Sequence, residues 1–193
     1  ALNGTNWRPT WQAAGVTGQT AVRFDGTDQL VSSLSLPNHA YTVYVVGQAM
    51  NIGGVQPGRL VGSRDGNWLL GWSGGLQDVA SPGSGWIAYP TPTVAATFNT
   101  GPLVYSVASF GPNALAYRDG TPLSFFGNSP WTPGFGGGAG GTIGRLALGG
   151  GTNLAGTTEP GRGEISEVLV FDRALVEAER LQVDAYLRSR WVT

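Results

Sequence analysis

The sequence predicts a single all-β domain, a two-sheet antiparallel β-sandwich completed by one C-terminal amphipathic helix. Three observations predict it. Short runs of β-branched and aromatic residues recur along the 193 residues, each bounded by Gly, Pro, Asn or Asp. The 32 Gly and 12 Pro together approach a quarter of the chain, while charged residues supply only 12%, about half the usual share. Seven Trp, seven Phe and six Tyr then select a folded, turn-rich protein over a disordered one, because packed sheets bury aromatics. The length suits one all-β domain with its own core, so 1–193 is read as one unit with residues 1–19 packed on the sandwich.

The elements follow in order. Thr20 to Leu36 alternates at Val22 and Phe24, turns at Asp25-Gly26-Thr27-Asp28, and alternates again through Leu30, Leu34 and Leu36. Tyr41 to Val46 is apolar on both faces, which suits a central strand covered on two sides. Shorter runs follow at Arg59–Ser63, Trp68–Trp72, Gly85–Tyr89 and Val94–Phe98. The clearest hairpin joins Leu103–Ser109 to Asn113–Arg118, and Asp119-Gly120 turns the chain again before Leu123–Phe126, since Asp-Gly accepts the positive φ of a tight hairpin. Gly163–Phe171 reads as the last strand, with Ile165, Glu167, Leu169 and Phe171 on one face and Val168 and Val170 on the other. The helix is expected over 174–190. On a helical wheel Leu175, Val176, Val183, Tyr186 and Leu187 fill an arc of about 120°, and Glu177, Arg180, Asp184 and Arg188 form the expected wet face.

Composition excludes several function classes. Twelve acidic residues against 11 basic ones, all of them Arg and nowhere clustered, leave no electrostatic footprint for nucleic acid. The absence of cysteine removes disulfides, thiol catalysis and thiolate metal sites, and leaves the redox compartment open. The longest apolar run, Tyr41 to Val46, is far too short to span a bilayer, and no charged-then-apolar signal segment precedes it. A soluble chain is expected, with both a removed Met and a removed signal segment before Ala1 left open.

Three stretches carry a resemblance. Arg8-Pro-Thr-Trp11-Gln with Gly15-Val-Thr-Gly18 leads into Ala21-Val-Arg-Phe-Asp-Gly-Thr-Asp28; Tyr117-Arg-Asp-Gly120 forms a hairpin; and Gly163-Glu-Ile-Ser-Glu-Val-Leu-Val-Phe-Asp-Arg-Ala-Leu175 runs on to Ala178-Glu-Arg and Ala185-Tyr-Leu. In these the chain resembles the laminin-G-like, concanavalin-A-like jelly-roll family over nearly its whole length. The resemblance implies a sandwich whose relatives bind glycans, proteins or other surfaces, often within bacterial surface proteins or phage structural proteins. A short version without a visible signal segment leans toward the phage case. This is analogy from fold.

Candidate sites are few. Relatives in the wider superfamily that hydrolyse β-glucans place carboxylates two and four apart on one strand, where a period of two sends them into one cleft. Here Glu164 and Glu167 are three apart, which predicts opposite faces, and Glu177 and Glu179 lie about 160° apart on the helix. No catalytic residue is expected. Glu167 reads as a buried carboxylate paired with an arginine such as Arg23 or Arg173. His39 reads as a solvated turn residue, with no nucleophile-elbow sequence and no partner for zinc. Asp25 and Asp28 are the nearest approach to a calcium site, and Asp25 more simply shapes an Asx-turn; no cofactor or metal is expected. The aromatics are the remaining signal, because sugars and partner proteins pack on exposed rings. Trp72, Trp86, Tyr89, Trp131 and Phe135 are the candidate ligand or interface residues, the last two in the Gly-rich segment 127–141. The alternative is that the strand aromatics are core and Trp131 covers an apolar edge.

The expectation is a non-catalytic structural or adhesion module on a virion or extracellular surface, such as a capsid decoration or tail-associated protein. Its partners would be other protein subunits. The second reading is a lectin-like glycan binder, and a polysaccharide hydrolase or lyase comes last.

Overall fold

A computed structural model describes residues 8–15, 18–36, 40–50, 58–73, 76–82, 87, 101–110, 114–123, 143–152 and 159–192. In chain order the strands are β1 (Thr10–Gln12), β2 (Ala21–Asp25), β3 (Leu30–Leu36), β4 (Ala40–Ala49), β5 (Val61–Ser63) and β6 (Trp68–Ser73). They continue as β7 (Leu76–Pro82), β8 (Leu103–Phe110), β9 (Ala114–Arg118), β10 (Thr121–Pro122), β11 (Gly144–Leu148) and β12 (Arg162–Phe171), and the chain ends in helix α1 (Glu177–Trp191). A seven-stranded sheet runs β1-β2-β12-β4-β8-β9-β10, a five-stranded sheet runs β3-β11-β5-β6-β7, and every pairing is antiparallel. The predicted sandwich is the observed one.

Apolar alternation explains the layer between the sheets. On β4, Tyr41, Val43, Val45 and Ala49 face inward, where they meet Trp68, Leu70 and Trp72 of β6 and Leu60. β4 lies between β12 and β8, the central place its two-faced apolarity predicts. The strands either side of Asp25–Asp28 do not pair with each other: β2 joins the larger sheet and β3 the smaller, so this turn is a corner between layers. Asp25 Oδ1 accepts from the Thr27 amide at 2.8 Å and its hydroxyl at 2.7 Å, the expected Asx-turn. The Asp119-Gly120 hairpin also forms, both residues at positive φ (49° and 80°) between the β9–β10 pair Arg118 and Thr121.

Strands β1, β7 and β11 went unread in the sequence, and β10 lies ahead of the expected Leu123–Phe126, of which 124–126 lie outside the described residues. β7 is interrupted by a bulge at Asp78, which adopts φ 65° and is left unpaired between Gln77, opposite Trp72, and Val79, opposite Gly71 at φ 108°. A Cβ on Gly71 would also meet Leu60 at 2.6 Å, so this bend requires glycine. β11 is short and carries Arg145 within Gly-rich sequence, which blurred its alternation. The run Val94–Phe98 lies outside the described residues, as does all of Gly85–Tyr89 except Ile87.

The last strand corrects the sequence reading. The register of β12 on β4 shifts between Ile165 and Glu167. Glu164 pairs with Gln48 and Glu167 with Val46, two residues apart on β4, so both glutamates share the outer face. The extra residue of the bulge, which no period of two anticipates, also turns Ile165 inward, away from Leu169 and Phe171.

The helix is likewise rotated from expectation. Its buried residues are Arg180, Asp184, Leu187 and Trp191, whereas Val176 and Tyr186 are exposed. It begins three residues later than expected, because Thr42 Oγ1 accepts from the Leu175 amide at 2.9 Å and Val176 stays extended. Glu179 then turns back to accept from the Val176 amide at 3.2 Å. Leu175, Leu187 and Trp191 pack on Tyr44, Val46 and Val104, forming a second core on the outer face of the seven-stranded sheet.

Candidate functional site

Of the residues singled out by sequence, Trp72 is placed and is no ligand contact. It is 1% exposed, packed edge-to-face on Tyr105 with ring centres 6.5 Å apart. Its inward position on β6 puts it between the sheets, the core alternative. Trp86, Tyr89, Trp131, Phe135 and His39 lie outside the described residues.

The acidic residues are held by structural partners. Glu164, not Glu167, takes Arg23, with Arg23 Nε at 2.9 Å from Oε1. Glu167 instead accepts from Trp191 Nε1 at 2.5 Å, with Arg190 Nε at 3.8 Å; the bulge carries it past Arg23 to the end of the helix, and Arg173 pairs with Glu179 at 2.7 Å. Arg59 reaches Glu159 at 2.5 Å and Asn67 at 2.6 Å, and Arg145 reaches Asp65 at 2.5 Å. Asp28 accepts from the Asp25 amide at 3.0 Å. Among the described residues no group of three or more His, Cys, Asp or Glu is placed to hold a metal.

A tighter cluster joins the two sheets at one edge. Asp78, on its strained bulge, pairs with Arg118 of β9 and accepts from Tyr105 Oη of β8 at 2.9 Å. Burial raises the Asp78 carboxyl, against the opposing pull of Arg118 and Tyr105, and burial beside this carboxylate raises Tyr105 well above the usual phenol. Both of its carboxylate oxygens are engaged, which makes it a clip between layers.

A ligand-sized concavity with aromatic walls, built from described residues, lies on the outer face between α1 and the β9–β10 edge. It has a volume of about 350 Å³. Outward alternation brings Ala108 and Phe110 of β8 and Leu115 and Tyr117 of β9 to its floor, and the start of the helix supplies Val176 and Leu181. Phe110, Val176 and Leu181 are 47%, 60% and 45% exposed, an apolar rim open to solvent. Arg180 lies beneath them, its guanidinium 3.7 Å from the Tyr117 ring centre, and its Nε and Nη1 have no hydrogen-bond partner. Glu177 stands exposed at the lip. This arrangement can take up an apolar or aromatic group over a buried cation; no nucleophile or acid–base pair converges on it.

Sequence reading placed Leu175, Val176, Glu177 and Arg180 on the helix and Tyr117 and Gly120 in the hairpin but named none of them as a ligand or interface residue, nor Trp11, the most exposed large apolar side chain described at 68%. The available signals were weak. Trp11 sits between Thr10 and Gln12 on a short edge strand, and Phe110 ends its strand before Gly111-Pro112.

No protein-family model matches the sequence, and no curated protein matches it. Among solved structures the chain is similar to the native heptameric SAP-like pentraxin of Limulus polyphemus, with TM-score 0.53 and 17% identity over 85% of this chain and 81% of that one. It is also similar to Trypanosoma rangeli sialidase in complex with sialic acid, with TM-score 0.52 and 15% identity over 85% of this chain. The match spans only 27% of the sialidase chain. The likeness is one of architecture, and the chain has a jelly-roll β-sandwich fold of the kind found in the pentraxin.

Proposed function

We propose that this chain is a non-catalytic binding module that docks with other protein subunits through the outer-face groove beside α1. The observation that carries the reading is the groove's open rim of Phe110, Val176 and Leu181, apolar surface of the kind that protein interfaces bury at their centre. The engagement of carboxylates in ion pairs and turns supports a binding role over glycosidase chemistry. The laminin-G-like motifs support a surface setting, as a virion component or an extracellular protein. No helix among the described residues is long and apolar enough to cross a membrane.

A second reading is a glycan-binding module, favoured by the exposed Trp11 ring, a platform on which a sugar face stacks. Native mass by light scattering over a concentration series, with a glycan array on the same sample, separates the two. A stable oligomer or docking into a larger assembly, with a blank array, supports subunit docking. A monomer that binds a family of glycans overturns it in favour of the lectin reading.

A further inference from the structure

We infer that the groove's occupant is Trp11 of a second copy of this chain, so that copies join head to tail along the two edges of the seven-stranded sheet. The inference rests on the subunit-docking reading and adds the partner and the contact. Trp11 lies on β1 and the groove beside β10, the opposite edges of the sheet, so one copy cannot fill its own groove. About 350 Å³ is at the small end of ligand-sized sites and suits one large side chain.

Direction and chemistry agree. Trp11 pairs with Val22, which faces the five-stranded sheet, whereas the groove opens on the opposite face at the other edge. One copy laid over the next like a roof tile therefore points its indole down into the neighbour's groove. Once there, the ring meets Arg180, a desolvated guanidinium already stacked on Tyr117, and indole is the ring such a cation prefers. Exposed Arg8, three residues before Trp11, and exposed Glu177, at the lip of the groove, have opposite charges. The contact uses different patches on the two copies, so it is heterologous and builds a ring or a filament.

The test is complementation. Trp11→Ser removes the knob and keeps the groove; Leu181→Asp spoils the groove and keeps the knob. Both positions are exposed, so both variants should keep the wild-type circular dichroism and melting behaviour. Light scattering should show wild type as an oligomer and each variant alone as a monomer. An equimolar mixture should stop at twice the monomer mass, because it holds one intact contact. If Leu181→Asp becomes a monomer while folded Trp11→Ser keeps the wild-type mass, another group fills the groove: the inference falls and the docking reading stands. If both folded variants keep the wild-type mass, copies dock through another surface and both fall. Variants that become monomers but do not pair when mixed also overturn the inference. A wild-type chain that stays monomeric and enters no larger assembly overturns both.

Discussion

The seven-stranded sheet is covered on both faces, and the two coverings differ in kind. Its inner face meets the other sheet through aromatic and aliphatic side chains, with Trp68 Nε1 donating to Tyr41 Oη at 2.7 Å as a polar contact inside the layer. Its outer face meets α1 through a smaller apolar cluster that shares the interface with Arg180, Asp184 and Ser106. Four of the six buried side-chain polar atoms without a hydrogen-bond partner among the described residues belong to those three residues. The inner layer is therefore the source of stability, and the outer layer is adaptable surface where a helix edge leaves a groove.

The strongest way to break this contrast is to cut into the inner layer. Trp68→Ala removes a fully buried indole together with its hydrogen bond to Tyr41 Oη, and should cost roughly 3–5 kcal/mol, read as a fall in the denaturant midpoint of the whole domain. A cost below about 1 kcal/mol would mean that the inner layer does not hold the fold.

A smaller effect is expected at the far end of the helix. Trp191→Phe keeps the ring in the outer cluster and loses the indole donor to Glu167, which keeps Arg190 at 3.8 Å and some contact with water. The cost should be about 1–2 kcal/mol. Amide exchange should place it: protection should fall in α1 and hold in β4, as expected where the helix opens as a local unit. Equal loss of protection in both would show that the two layers unfold together.

The same contrast decides what could be read from sequence. The inner layer was legible because its strands read plainly as strands: Tyr41–Val46, apolar on both faces, marked the central strand with Tyr41, Val43 and Val45 alternating inward, and Leu103–Ser109 marked the strand beside it. Trp72 belongs to that pattern, and naming it a ligand residue set its ring chemistry above its place in the alternation. The outer layer was not legible, because period and polarity disagree there. The bulge before Glu167 shifts the phase by one residue, which hid both the Arg23–Glu164 pair and the shared face of the two glutamates. The helical wheel assigned Arg180 and Asp184 to water by polarity, although Tyr117 covers the guanidinium and Gly120 lies close to the Asp184 carboxylate. The groove forms only where α1 comes back onto the consecutive strands β8, β9 and β10, about 55 residues earlier in the chain, and no local motif announces it.

Asp184 gives the finest test, because it asks whether a charge under the helix helps the fold or opposes it. Burial raises its carboxyl above the ordinary value of 3.8 by more than nearby Arg188 and Arg180 lower it. The folded chain then keeps this proton to higher pH than the unfolded chain does. The group therefore opposes folding above its raised folded value, and the opposition fades as pH falls through that value toward 3.8. Asp184→Asn is neutral throughout, so its Tm should exceed that of wild type near pH 7, and the gap should close as the solution is acidified through that window. A variant that melts below wild type at neutral pH and regains parity in acid would reverse the sign. The attraction of Arg180 and Arg188 would then outweigh burial, and the outer layer would be held by its charges as well as by Leu187 and Trp191.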